Sequence, residues 1–283
     1  MAEVATIVEV GPRDGLQNEP RPIPTEDKVA LIDLLSASGL GRIEAASFVS
    51  PRWVPQMADG AAVMARIARP AGVRFGALVP NLQGYHAARA AGVDEVAIFA
   101  AASEAFSKAN LNATIAESLA RFAPVAAAAH ADGVALRGYV SCVTDCPYAG
   151  AVAPGAVARV VAALRDLGCA EVSLGETLGR GRPEAVDAML AAVLSEMAPA
   201  RLAGHFHDTG GGALGNIDVA LGHGLRVFDA AAGGLGGCPY APGAAGNVAT
   251  EAVAAHLAAR GFATGIDAAA LARAAAFARS LRG

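Results

Sequence analysis

Short β-rich runs alternate with alanine-rich helical stretches about eight times along 283 residues, and few folds accept that rhythm. The strands are expected at Thr6–Val10, Arg42–Ala46, Val73–Val79, Glu95–Phe99, Ala135–Val140, Glu171–Leu174, Arg201–Phe206 and Arg226–Ala230. Helices such as Asp27–Ser38, Thr114–Ala131, Pro154–Leu167 and Pro183–Met197 lie between them. Thr25 with Glu26 and Asp27, then Pro154 and Pro183, mark helix starts, while Gly39, Gly92, Gly133 and Gly168 mark ends. This repetition points to an α/β (β/α)8 TIM barrel rather than an open doubly wound sheet. No Gly-x-Gly-x-x-Gly follows the first strand, which argues further against a dinucleotide-binding fold. One catalytic domain is expected over residues 1–283, with an additional C-terminal helical segment at Ala268–Leu281.

Apolar residues make up 54% of the chain against 17% charged, enough for a large core. A net charge of −4 offers no electrostatic footprint for nucleic acid or an anionic membrane. Charged residues, Gly or Pro cut every apolar stretch well before the ~18 residues needed to span a bilayer. The N-terminus carries Glu3 and Glu9 where a targeting segment needs Lys and Arg, and it alternates like a strand. Cys142, Cys146, Cys169 and Cys238 form neither a disulfide framework nor a Cys-x-x-Cys zinc site, so a reducing cytoplasm is expected. Cys169, beside a strand, reads as a buried small hydrophobe.

In a barrel of this kind the working residues stand at the C-terminal ends of strands and in the loops that follow. That rule collects Arg13 and Asp14 after the first strand, Glu44 inside the second and Ser47 after it. It adds Pro80-Asn81, Ser141-Cys142, Glu176-Thr177 and the run His205-Phe-His207-Asp208 after later strands. Residues two apart on a strand face one way, so His205 and His207 would present two imidazoles to one side and Phe206 the other. Alone, such a pair is more often solvated than ligating. Together, Asp14, His205, His207 and Asn247 bring one carboxylate, two imidazoles and one amide oxygen to the mouth. That mixed set suits Mg2+ or Mn2+, with zinc as the alternative.

Arg13 reads either as a structural ion-pair partner or as a catalytic cation able to stabilise an oxyanion or enolate. For Arg13 and Asp14 to reach one cavity, the Pro12 turn must redirect one of them. Cys238 sits in a glycine- and proline-rich loop, about 233–246, that reads as a mobile lid. Its thiol is either an acid–base group or an idle exposed one. Cys142 and Cys146 receive no role, and His86, His130, His223 and His256 read as surface or capping residues.

With those residues in hand, the chain resembles the hydroxymethylglutaryl-CoA lyase family of metal-dependent barrel lyases, from about Val8 to Ala259. The likeness rests on Val8-Glu-Val-Gly-Pro-Arg-Asp-Gly-Leu-Gln-Asn-Glu19, Ile43-Glu44 and Ser47-Phe-Val-Ser-Pro-Arg-Trp-Val-Pro-Gln-Met57. It continues through Arg137-Gly-Tyr-Val-Ser-Cys142, Cys146-Pro-Tyr148 and Gly233-Gly-Leu-Gly-Gly-Cys-Pro-Tyr-Ala241. The resemblance implies cleavage of 3-hydroxy-3-methylglutaryl-CoA to acetyl-CoA and acetoacetate, in leucine degradation, and a homodimer. It implies Asp14, His205, His207 and Asn247 as ligands of a divalent metal, Arg13 as catalytic arginine and Glu44 as active-site acid, with His205 counted among the catalytic residues as well. Cys238 matches the thiol of the family's mobile catalytic loop.

Two departures stand out. Glu176 replaces the usual aspartate, displacing the carboxylate by about 1.5 Å. Gly210-Gly211-Gly212 replaces bulkier residues, and the roomier pocket this suggests would accept a longer branched 3-hydroxyglutaryl-CoA. Three other readings compete. A synthase would need an α-keto acid acceptor, an amidohydrolase-like metal hydrolase would carry its His-x-His after strand one, and a non-catalytic barrel would have lost ligand positions.

Overall fold

The computed structural model describes residues 2–238 and 241–282, with backbone alone for residues 237, 238 and 241–245. Eight parallel strands close into a barrel: β1 (Thr6–Glu9), β2 (Arg42–Ser47), β3 (Arg74–Leu78), β4 (Glu95–Ala101), β5 (Ala135–Ser141), β6 (Glu171–Glu176), β7 (Leu202–Phe206) and β8 (Val227–Ala230). Each strand pairs with the next in sequence, and β8 closes on β1 through Thr6↔Val227 to Glu9↔Ala230. The expected TIM barrel is therefore the observed one. Strand ends fall within two residues of the expected positions because the β-branched runs and the glycines between them are local signals.

The helices form the outer layer and bury their apolar faces on the barrel. The helix Ile115–Ala131 opens on a capping box, with Thr114 and Glu117 satisfying each other's backbone amides. The helix starting at Pro183 ends at Val193, four residues short of Met197. Gly168 takes φ +88°, and a Cβ there would collide with the His130 ring, so the turn into β6 needs glycine. A final helix, Ala268–Ser280, packs against the first, Thr25–Ser36, and against the root of the segment after β8. No helix among the described residues is long and apolar enough to cross a membrane.

The lower barrel interior departs from the layers of branched aliphatics common in this architecture. Arg42 pairs with Glu95 (2.9 Å) and Glu171 (3.0 Å), and Arg137 pairs with Glu171 (2.7 Å) and Asp229 (2.7 Å). A buried charge is tolerated only when paired and hydrogen-bonded, so these ions hold each other in place.

Above them, Glu9 at the end of β1 ties three segments together. Its Oε1 accepts from the backbone amides of Gly11 (2.8 Å) and Ala232 (2.9 Å), and its Oε2 from Thr250 Oγ1 (2.6 Å). Burial pushes this carboxyl from its ordinary 4.5 up to about 7, although the three donors pull the other way. Between those values the folded protein holds a proton that the unfolded chain releases, so stability falls as pH rises through the window and levels off above it. Each pH unit of that window is worth about 1.4 kcal/mol. Urea unfolding of wild type and Glu9→Gln at pH 5 and pH 8 should show the variant losing about 2–3 kcal/mol less than wild type on alkalinisation. Matching pH dependence in the two proteins would refute the assignment.

Candidate active site at the barrel mouth

Arg13 and Asp14 lie in a five-residue π-helical turn, Gly11–Gly15, that begins directly after β1. The amides of Arg13, Asp14 and Gly15 all point to the Val10 carbonyl, at 3.2, 2.7 and 3.3 Å. This tight coil, rather than a single turn at Pro12, brings both side chains into one cavity. Gly15 is required there because a Cβ would stand 2.7 Å from that of Leu235. Arg13 NH1 contacts Asp14 Oδ1 at 2.7 Å, while its Nε and NH2 clasp Glu44 Oε2 at 2.7 and 2.6 Å. Arg13 is thus an ion-pair partner to both acids; Arg13 and Glu44 are buried and Asp14 is half-buried.

His205 is the penultimate residue of β7, with its Nδ1 3.2 Å from Asp229 Oδ2. His207 lies just past the end of the strand, the two ring centroids are 5.3 Å apart, and Phe206 between them is buried on the opposite face. The expected strand geometry therefore holds. Asn247 arrives from the far end of the chain through a backbone bridge to His207, reinforced by Asp208 N donating to the Gly246 carbonyl at 2.7 Å. Its Nδ2 donates to Asp14 Oδ2 (2.8 Å) and to the Leu235 carbonyl (3.3 Å). Asn247 so joins the cluster, but it turns its amide nitrogen, not its oxygen, toward Asp14.

One ligand-type atom each from Asp14, His205 and His207 lies within 4.8 Å of the others, a spacing that one cation can occupy. The electrostatics favour this. Burial alone would raise the Asp14 carboxyl, yet Arg13 and then the two histidines hold it at about 2. Burial, together with neighbouring His205, pushes His207 down to about 4, so its ring is neutral at pH 7. Its Nδ1 is buried with no hydrogen-bond partner among the described residues, a lone pair awaiting an acceptor such as a metal. The residues present fit a divalent cation.

Other expected residues take different places. Cys238 contributes backbone to a two-residue strand paired with Ala241–Ala245, and its side chain lies outside the described residues. Asn81 caps the helix Leu82–Ala90, accepting from Gly84 N. Cys142 and Cys146 are buried side by side, with Cys146 Sγ accepting from Ser103 Oγ at 3.0 Å. Cys169 is fully buried, as expected. His223 and His256 pair with Asp187 and Asp218 at the surface, and His130 meets the Gly168 carbonyl.

The two departures have structural answers. Glu176 folds back on its own loop, Oε1 accepting from Leu178 N and Arg180 N at 3.3 Å each. Its extra methylene is accommodated by Gly181, where a Cβ would lie 2.6 Å from Glu176 Cγ. Gly210 donates to the Gly179 carbonyl at 2.7 Å, and a Cβ on it would stand 2.8 Å from that oxygen. Gly210 and Gly211 are solvent-exposed, and of the three glycines only Gly210 is held by tight packing.

Sequence reasoning overlooked Asp229, Tyr139 and Arg137, which lie directly behind the site. The available signal was an ionisable residue inside a short barrel strand, which must face either the lumen or the helical layer.

Comparison with known proteins follows the same lines. The HMGL-like family model matches residues 5–278. A 3-hydroxy-3-isohexenylglutaryl-CoA/hydroxy-methylglutaryl-CoA lyase of Pseudomonas aeruginosa is 56% identical over 261 residues, covering 92% of this chain and 87% of the relative. A hydroxymethylglutaryl-CoA lyase of Pseudomonas mevalonii is 52% identical over 265 residues, covering 94% and 88%. The crystal structure of the HMG-CoA lyase from Brucella melitensis superposes with a TM-score of 0.98 at 60% identity, covering 99% of each chain. Carboxyl transferase domains at 15% identity and a TM-score of 0.73 share the fold alone. With a family model spanning nearly its whole length and relatives more than half identical to it, this chain belongs to the HMGL-like family.

Proposed function

We propose that the chain is a carbon–carbon lyase that cleaves 3-hydroxy-3-methylglutaryl-CoA to acetyl-CoA and acetoacetate. The observation that carries this reading is the meeting of Asp14, His205, His207 and Asn247 beside the Arg13–Glu44 pair, in a chain so close to named lyases. The proposed metal ligands are those four residues, with Mg2+ or Mn2+ as the ion, and Asn247 must turn its amide over to offer Oδ1. A divalent cation held by those residues would supply Lewis-acid polarisation that lowers the pKa of the substrate's tertiary hydroxyl.

The reaction breaks the bond between C2 and C3. The hydroxyl proton passes to Glu44 Oε1, C3 becomes the ketone of acetoacetate, and the bonding pair moves onto the thioester as an enolate that is then protonated at C2. Arg13 meets the thioester oxygen as charge builds there, and its guanidinium cannot lose its proton at any working pH. Glu44 fixes the plane of that guanidinium through Oε2. Its Oε1 is buried without a hydrogen-bond partner among the described residues and is free to meet substrate. Cys238 is the proposed donor to the C2 carbanion, and closure of its loop would keep water away.

The proposed setting is the cytoplasm, consistent with free thiols at Cys142, Cys146 and Cys169. The dual-specificity relative keeps a longer C3 branch open as a second substrate, to be assayed beside the methyl compound.

Incubating the purified protein with 3-hydroxy-3-methylglutaryl-CoA and Mg2+ should release acetyl-CoA. EDTA should stop the release and Mn2+ should restore it. Absent or metal-independent turnover would defeat the reading. Arg13→Lys keeps the charge but loses the planar fork that serves Glu44 and Asp14 at once. It should lower kcat by about 10²-fold, with KM little changed, in steady-state assays.

A further inference from the structure

The mechanism leaves unused the ions buried beneath the mouth, and one of them reaches both halves of the site. Arg137, in β5, is 2% exposed, and its three nitrogens are all engaged. Nε donates to Glu171 Oε1 (2.7 Å) and NH2 to Asp229 Oδ1 (2.7 Å), while NH1 donates to Tyr139 OH (2.7 Å) and Asp229 Oδ2 (3.2 Å).

One arm runs through Asp229 to the predicted metal ligands. Asp229 Oδ2 also accepts from Ser173 Oγ at 2.7 Å and faces His205 Nδ1 at 3.2 Å. An enclosed carboxylate only accepts, so it holds a proton on His205 Nδ1 and leaves Nε2 as the nitrogen with the lone pair. The other arm runs through Tyr139 to the catalytic arginine. The Tyr139 hydroxyl accepts from Arg137 and donates to Glu44 Oε2 at 3.2 Å, the same oxygen that clasps Arg13. The guanidinium carbons of Arg137 and Arg13 lie 4.9 and 5.5 Å from the centroid of its ring.

We propose that Arg137 is a positioning residue that sets both halves of the site at once, orienting His205 through Asp229 and Arg13 through Tyr139 and Glu44. This inference rests on the lyase reading above. A planar fork with fixed donor directions can hold two arms in one relative geometry, which a point charge cannot.

The test compares wild type with Asp229→Asn, Tyr139→Phe and Arg137→Lys, recording Mn2+ affinity of the substrate-free protein by electron paramagnetic resonance and turnover separately. Asp229→Asn should weaken Mn2+ binding by about 10–100-fold. Tyr139→Phe should keep Mn2+ affinity within about twofold while lowering kcat about tenfold or more at nearly constant KM. Arg137→Lys should show both losses, and if it does not fold the two near-isosteric variants decide. Wild-type Mn2+ affinity in Asp229→Asn, or wild-type kcat in Tyr139→Phe, would overturn the proposal. A wild-type protein that binds Mn2+ but releases no acetyl-CoA would defeat the lyase reading alone, leaving the Asp229 arm to be judged on Mn2+ affinity. One that binds no Mn2+ would overturn both.

Discussion

Asp14→Ala is expected to lower kcat by at least about 10³-fold and to remove measurable Mn2+ binding, because lost metal assistance is worth several kcal/mol at the transition state. Asp14 is the sole carboxylate in the three-residue cluster with His205 and His207. It also organises its surroundings, accepting from Arg13 NH1 (2.7 Å), Gln17 Nε2 (3.1 Å) and Asn247 Nδ2 (2.8 Å). With its carboxyl held at about 2, despite burial, by Arg13 and the two histidines, it stays ionised across the working pH range. Alanine leaves two imidazoles and no anionic ligand beside an Arg13 guanidinium that Glu44 alone still balances, a cluster with little to attract a cation. Circular dichroism should show the fold retained, since the turn is built on the Val10 carbonyl rather than on the Asp14 side chain. A loss of only tenfold would mean that Asp14 does not hold the ion.

Arg137→Met should cost about 3–5 kcal/mol of unfolding free energy, the range for removing one partner of a buried ion pair. Asp229 has no exposed side-chain surface, and Arg137 supplies two of its hydrogen bonds and its neutralising charge. Methionine fills much of the volume, so the loss comes from a stranded carboxylate rather than from a cavity. Adding Asp229→Asn removes that stranded charge. The double variant should therefore be more stable than the sum of the single losses predicts, by roughly 1–3 kcal/mol in urea unfolding. A loss below about 1 kcal/mol for Arg137→Met would show that water or Arg42 replaces the missing charge.

The barrel was legible because its signals are local: β-branched runs of strand length, helix starts at Pro154 and Pro183, and closing glycines at Gly39, Gly92, Gly133 and Gly168. The His205/His207 pair was legible for the same reason, since side-chain direction on a strand follows from spacing alone. Arg13 and Asp14 were legible as residues but not as geometry. Adjacent positions diverge on a strand, and only the π-helical turn at Gly11–Gly15 brings them together. Glu176 and Gly210 looked like changes to the pocket, whereas Glu176 Oε1 accepts from amides of its own loop and Gly210 packs on the Gly179 carbonyl, contacts that sequence does not display.

The amino-acid sequence by itself determined the strand–helix rhythm, hence the barrel, and the residue types that collect at its mouth. Only the tertiary structure decided their partners: Asn247 against Asp14 across 233 residues, Arg137 against Asp229 across 92. The reason is physical. Periodicity and capping act over one or two turns of chain, whereas the pairing of buried charges is set by barrel closure, which brings distant strands to within a hydrogen bond and excludes water from between them.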